Sequence, residues 1–158
     1  MLSGNATVRV VASLTCILLL APACDPVDLV LRRLGLLRVP DGVAVRFVLC
    51  PDELVTVVSL RESGSDPSDV LWRIESNGER QSEFVVGQRP DGFAETESLA
   101  STLSSSLRYV ISVDTNKQSI ASESFSVTDL RSDEVLVAWK DEYLPPLQFE
   151  ESGRDACA

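Results

Sequence analysis

Hydrophobic side chains recur at every second position along much of the chain between residues 43 and 139, as in Val43, Val45 and Phe47. A period of two is the side-chain period of a β-strand with one buried face, whereas a helix would repeat every 3.6 residues. Segments with this alternation or with many β-branched residues are 43–49, 54–61, 70–75, 107–113, 122–127 and 135–139, with 84–86 as a short further candidate. No segment shows a long helical period, so the sequence predicts an all-β domain.

Turn-forming residues separate most of these segments. Pro-Asp-Gly occurs twice, at 40–42 and 90–92, and the other turn signals are Ser63–Pro67, Asn77-Gly78 and Asp114–Asn116. About seven short strands with this punctuation are typical of an antiparallel β-sandwich. We therefore predict a β-sandwich domain over residues 43–140.

Two strands resemble those of immunoglobulin-like or fibronectin-type domains. Trp72, in a middle strand, resembles the buried tryptophan of such folds, and residues 107–113 resemble the tyrosine-bearing strand through Tyr109. The resemblance covers roughly residues 43–139 and implies a fold without an activity.

The amino-terminal segment has the organisation of an export signal. Arg9 precedes fourteen uncharged residues, Val10–Ala23, which end in small residues before Cys24. A membrane-spanning helix needs about 20 apolar residues, whereas a run of about 7–15 that ends in small residues is typical of a cleaved signal peptide. We predict a signal peptide over residues 1–23.

The five residues Leu20-Ala21-Pro22-Ala23-Cys24 resemble the lipobox of bacterial lipoproteins. That resemblance implies that a diacylglyceryl group is attached to the thiol of Cys24 before cleavage. The leucine lies four residues before the cysteine, where the family usually has it at three. Cleavage after Ala21-x-Ala23 by an ordinary signal peptidase, which gives a freely secreted domain, is the alternative. The layout also resembles small uncharacterised lipoproteins of actinomycete bacteria, which implies no activity.

The cysteine count favours lipidation. Cys16 leaves with the signal peptide, and acylation of Cys24 then leaves Cys50 and Cys157 as an even pair. Exported proteins form disulfides from such pairs, so we predict a Cys50–Cys157 disulfide. Residues 24–42 are predicted to be the lipidated cysteine and a tether. Residues 141–158 are predicted to be an extended tail, because Pro145 and Pro146 favour an extended segment.

Several classes of active site are missing from the sequence. The chain has no histidine, which removes Ser-His-Asp and Cys-His systems and histidine-ligated metals. It has two lysines, neither in a Ser-x-x-Lys arrangement, and no glycine-rich phosphate loop. We therefore predict no catalytic residues, no metal site and no cofactor.

Carboxylates are the abundant reactive groups. All 24 acids follow residue 24, as do 13 of the 14 bases, so the exported part carries a net charge of −11. Such a surface repels nucleic acid. The acids cluster at Asp91, Glu95 and Glu97, at Asp129, Asp133 and Glu134, and at Glu150 and Glu151. A hydrolase that uses paired carboxylates is thus a less favoured alternative.

These observations lead to one functional expectation. The chain is expected to be a non-enzymatic binding or envelope-associated module, held on the outer face of the cytoplasmic membrane by lipid on Cys24. Its protein or envelope ligand is not identified by the sequence. Residues 88–106 are the first place to look for binding, because long loops on rigid scaffolds often carry it.

Overall fold

The computed structural model describes residues 31–139 and 141–157, so the predicted signal peptide, Cys16 and Cys24 lie outside the described residues. Within these ranges the chain forms ten strands and one α-helix. The strands are β1 (Leu34–Val39), β2 (Gly42–Phe47), β3 (Val55–Glu62), β4 (Val70–Glu79), β5 (Glu83–Val85), β6 (Ala94–Glu97), β7 (Tyr109–Thr115), β8 (Ser119–Ala121), β9 (Val135–Val137) and β10 (Glu142–Leu144). The helix is α1 (Pro146–Asp155).

The strands form two antiparallel five-stranded sheets that pack face to face. The first sheet has the order β10-β9-β1-β2-β5 and the second the order β6-β4-β3-β7-β8. Every named pair of neighbouring strands is antiparallel. The predicted all-β antiparallel sandwich is confirmed.

Alternate residues of both sheets meet in a single core. Trp72 and Ile74 of β4 are completely buried there, as are Val58 and Leu60 of the neighbouring strand β3. The core includes Leu34, Leu36, Val43, Val45, Phe47, Val58, Leu60, Ile111 and Val113. Burying each such side chain contributes about 1.5–3 kcal/mol, which is why the alternation of the sequence is reproduced in the sheets.

Tyr109 at the start of β7 is held by a hydrogen bond of its side chain to the preceding loop. Its hydroxyl accepts a hydrogen bond from the backbone N–H of Ser104, 2.7 Å away and five residues upstream. This is the arrangement of a tyrosine corner. In the second sheet β7 lies between β3 and β8. Trp72, compared above with the buried tryptophan of such folds, lies on β4 and is completely buried.

The predicted tether over residues 24–42 is wrong from Leu34 onward. Residues Leu34–Val39 form β1, which lies inside the first sheet between β2 and β9. Four consecutive residues, Leu34 to Leu37, are buried because both faces of this strand are covered. A strand covered on both faces reads as a continuous apolar run without alternation. The predicted turn at Pro40-Asp41-Gly42 is confirmed as the β1–β2 connection.

The extended tail predicted for residues 141–158 is also wrong. Residues 142–144 add β10 to the first sheet, and Pro146–Asp155 form α1. Proline is favourable at the first position of a helix, because its missing N–H would have no partner there. Only Phe149 and Gly153, four residues apart, are buried on this helix. Two positions are too few to produce a helical period in the sequence.

Three smaller expectations have mixed outcomes. Asn77-Gly78, read as a turn, lies inside β4 at a bulge opposite β3. The strand expected at 122–127 is absent among the described residues, where β8 ends at Ala121 and Phe125 forms an isolated bridge with Tyr109. Residues 88–106, considered above as a long loop, contain the edge strand β6.

Gly35 sets the spacing between β1 and α1. A Cβ atom placed there would lie 2.3 Å from Val135 Cγ1 and 2.8 Å from the Phe149 ring. We expect Gly35→Ala to lower the free energy of unfolding by about 1–3 kcal/mol, because overpacking displaces buried side chains. Urea denaturation followed by circular dichroism measures this. Adding Val135→Ala should recover part of the loss, and a Gly35→Ala chain as stable as wild type would contradict the packing.

Candidate functional site

A disulfide links the segment after β2 to the end of the carboxyl-terminal helix α1. Cys50, three residues after β2, is bonded to Cys157, two residues after α1, with Cα atoms 5.3 Å apart. The predicted pairing is therefore present in the structure. It closes a sequence separation of 107 residues. On the inner side of α1, Phe149 packs with Val135 and Val137 of β9, which forms a second small core.

A buried ion pair lies directly beside the disulfide. The side chains of Arg33 and Glu53 are 2% and 0% exposed, and Arg33 Nη2 lies 2.9 Å from Glu53 Oε1. The same guanidinium contacts the Cys50 sulfur and stacks on the Phe47 ring, 4.8 Å from its centroid. Arg33 is therefore buried and paired, although it lies only nine residues after Cys24. It stabilises the region around the Cys50–Cys157 disulfide, Arg33 and Glu53, which we call the junction.

Glu53 accepts hydrogen bonds from four groups of this junction. Besides Arg33, its donors are the Cys50 backbone N–H at 3.0 Å, the Thr115 hydroxyl at 2.9 Å and the Gln118 amide at 3.0 Å. Burial alone would raise the pKa of Glu53, but the hydrogen bonds from Arg33, Cys50, Gln118 and Thr115 lower it from 4.5 to about 2. A carboxylate held ionised in this way suits structural anchoring and not proton transfer.

A cavity of about 390 Å³ opens at the same end, between the end of β2, the β4–β5 connection and α1. Its charged lining consists of three arginines and two glutamates: Arg46, Arg80, Arg154, Glu83 and Glu150. The apolar part includes the half-buried Val48 and Leu49. We refer to this site as the arginine cavity.

The charges of the arginine cavity do not cancel. Arg46 Nε lies 3.0 Å from Glu83 Oε2, and Arg154 Nη2 lies 3.5 Å from Glu150 Oε2. Arg80 forms no ion pair within residues 31–139 and 141–157. The lining thus has one excess positive charge on a chain that is strongly acidic as a whole.

The comparisons with known proteins gave no relative. No family model, curated protein or solved structure matches this chain. In the described part of the chain, no helix has the length and apolar character needed to cross a membrane. In the same part, no three side chains of the metal-binding types are grouped so as to hold a metal ion.

The acid clusters considered for a hydrolase lie at the surface or in ion pairs. Glu95 and Glu97 are exposed on the edge strand β6. Asp129 accepts a hydrogen bond from the Ser126 backbone N–H and lies 3.5 Å from Arg108. The remaining partners are Arg131 for Glu134 and Arg154 for Glu150, while Asp91, Asp133 and Glu151 are exposed.

The stretch singled out for binding, residues 88–106, lines a smaller cavity of about 160 Å³. Leu99 and Leu103 of that stretch face the start of β2 at Gly42 and Val43. The three arginines of the larger cavity were not singled out from the sequence. They lie 34 and 74 residues apart along the chain. The sequence signal for this site was limited to Arg46, which stands between the inward-facing Val45 and Phe47 of β2.

Proposed function

We propose that this protein is an exported, lipid-anchored, non-enzymatic binding or envelope-associated module. The observation that supports it most is the Cys50–Cys157 disulfide. With those two sulfurs paired, Cys24 is the one cysteine after the export segment without an assigned partner, at the position where the lipobox-like residues end. Disulfides are typical of oxidising compartments, which fits export.

The length of chain between Cys24 and the domain fits anchoring close to a membrane. Six residues separate Cys24 from Leu31, which packs against the main core. An extended chain of that length reaches at most about 25 Å. A diacylglyceryl group provides two acyl chains, enough for stable anchoring. The domain of an acylated chain would therefore remain next to the lipid surface.

The entry of the chain and the arginine cavity lie at the same end of the sandwich. The backbone N–H of Val48, a cavity residue, donates a hydrogen bond of 2.8 Å to the carbonyl of Arg33. Gly153 of α1 packs against the same valine. An anchored domain would thus present this cavity toward the membrane and the cavity at Leu99 and Leu103 away from it.

The alternatives have less support. A freely secreted domain would have the same sandwich and disulfide but an unmodified Cys24 thiol. A paired-carboxylate hydrolase would need two acids facing each other across a cleft, and the clusters described above are separated or engaged with arginines. Nucleic acid is disfavoured as a partner by the acidic surface.

Lipidation is tested directly by metabolic labelling. We expect the expressed chain to incorporate an alkyne-tagged fatty acid and to begin at residue 24, as measured by in-gel fluorescence and intact mass. Cys24→Ser should abolish the label, because the thiol is the acylated atom. The matched control is Cys16→Ser, which changes the other cysteine of the amino-terminal segment and should leave labelling intact.

Two results would contradict the anchor. One is a wild-type chain that starts at residue 24 with an unmodified thiol, which would establish plain secretion. The other is a label that persists in Cys24→Ser, which would place the acyl group elsewhere.

A further inference from the structure

The arginine cavity has the dimensions of a small-molecule site. Its volume of about 390 Å³ falls in the range of about 300–1,000 Å³ typical of ligand pockets and exceeds what a single ion occupies. The cavity is bordered by α1, by the end of β2 with the residues that follow it, and by the β4–β5 connection that carries Arg80. The Cys50–Cys157 disulfide connects two of these borders, the chain after β2 and the end of α1.

The charges of the side chains that line the arginine cavity favour a ligand with one negative charge. Two of the three arginines already have a carboxylate partner, at 3.0 Å for Arg46 and 3.5 Å for Arg154. Arg80 remains as the cation without an ion-pair partner among the described residues. A single negative charge would compensate it, whereas a dianion would have to displace a glutamate from its arginine. Guanidinium groups bind phosphate and carboxylate oxygens in bidentate geometry.

The polar and apolar parts of the lining suit an amphiphile. Val48 and Leu49 bring half-buried aliphatic side chains to the cavity that the arginines border. A ligand with one anionic oxygen group and an adjoining apolar group would satisfy both parts. A phosphodiester with attached acyl chains has this composition and carries one negative charge.

The location of the cavity indicates that its anionic ligand comes from the membrane, and this inference rests on the proposed function. In an anchored chain the cavity lies at the end of the domain that the tether holds within about 25 Å of the bilayer. The rest of the acidic surface repels an anionic membrane in bulk. Attraction would therefore have to be local, and the arginine cavity, with three arginines and two glutamates in its lining, is a site where it can occur.

We propose that the arginine cavity binds the phosphodiester headgroup of an anionic phospholipid, with Arg80 as its principal contact. Arg46 and Arg154 orient the same group from the two sides. The module would then be held to the membrane twice, by its own acyl chains and by a captured lipid, which fixes the orientation of the sandwich.

The test is a calorimetric titration of the purified full chain in neutral detergent with dihexanoyl phosphatidylglycerol. We expect saturable binding of one lipid, and no binding of dihexanoyl phosphatidylcholine, which controls for partition into detergent. Arg80→Gln should weaken binding about tenfold or more, since a hydrogen bond to a charged group is lost. Arg38→Gln, the same change at an exposed arginine of β1, should leave it unchanged.

Three results would overturn the proposal: no difference between the two lipids, equal binding by Arg80→Gln and wild type, or loss in Arg38→Gln as large as in Arg80→Gln. Binding of glycerophosphoglycerol, which lacks acyl chains, as tightly as the lipid would overturn the lipid assignment. Because the lipid is added in solution, the titration does not depend on acylation of Cys24. Failure here is therefore separate from failure of the labelling experiment.

Discussion

Replacing Cys50 and Cys157 together with serine is expected to lower the free energy of unfolding by about 2–4 kcal/mol. The disulfide closes a separation of 107 residues, and removing it restores the conformational freedom of that loop to the unfolded chain. Urea denaturation of the variant and of wild type, followed by circular dichroism, measures the change. Wild type treated with reductant should reproduce the variant.

Loss of the disulfide should increase local unfolding of α1 before it affects the sheets. The helix has two buried residues, Phe149 and Gly153, and the disulfide follows its last turn. We expect amide exchange in residues 146–155 to accelerate in the double serine variant before exchange in β3 and β7, which lie inside the second sheet. Unchanged protection of α1 together with unchanged stability would show that packing alone holds the helix.

Glu53→Gln is expected to cost about 3–5 kcal/mol, the largest effect of a single substitution at the junction. It leaves the buried guanidinium of Arg33 without its compensating charge. Glu83→Gln is the matched control, since Glu83 also pairs with an arginine but is 50% exposed. An exposed pair contributes about 0–1 kcal/mol. Equal losses in the two variants, measured by urea denaturation, would contradict a special role for burial.

A double-substitution cycle separates the pair from other effects at Glu53. In Arg33→Met/Glu53→Gln no uncompensated charge remains, and the methionine keeps much of the apolar contact with Phe47. We expect the double variant to be more stable than Glu53→Gln alone. If the two losses simply add, the hydrogen bonds from Thr115 and Gln118 and not the ion pair account for the cost.

The loss of stability caused by Glu53→Gln should depend on pH. The pKa of Glu53 is lowered from 4.5 in the unfolded reference to about 2 in the folded chain, so the folded state binds this proton less readily. The resulting stabilisation is complete above about pH 4.5 and is lost as the pH falls toward 2. The stability difference between wild type and Glu53→Gln should therefore shrink over that interval. A difference independent of pH would contradict the ionised state of Glu53.

Much of the fold could be predicted because it depends on local patterns. The alternation at Val43, Val45 and Phe47 reports one covered face, and most of the strands predicted in this way are present. Pro40-Asp41-Gly42 forms a turn for reasons internal to three residues. The pairing of Cys50 with Cys157 followed from counting, because the export pattern assigned the other two cysteines elsewhere.

Other parts depended on neighbours that are distant in the chain. β1 has no alternation, because α1 covers the face that a solvent-exposed strand would leave polar. The helix itself is short, and it is placed by Phe149 against β9 and by the disulfide. Arg33, which resembles a surface cation in sequence, is buried because Glu53 lies 2.9 Å away.

By itself, then, the sequence determined the all-β class, most of the strands with one covered face, the two-layer architecture and the even pair of sulfurs, since each is encoded in spacing or number. Only the tertiary structure decided that β1 and α1 cover each other, that Arg33 is paired, and that three arginines line one cavity. The physical reason is that periodicity records whether a side chain is covered. The partner that covers it is determined by packing between segments that lie tens of residues apart.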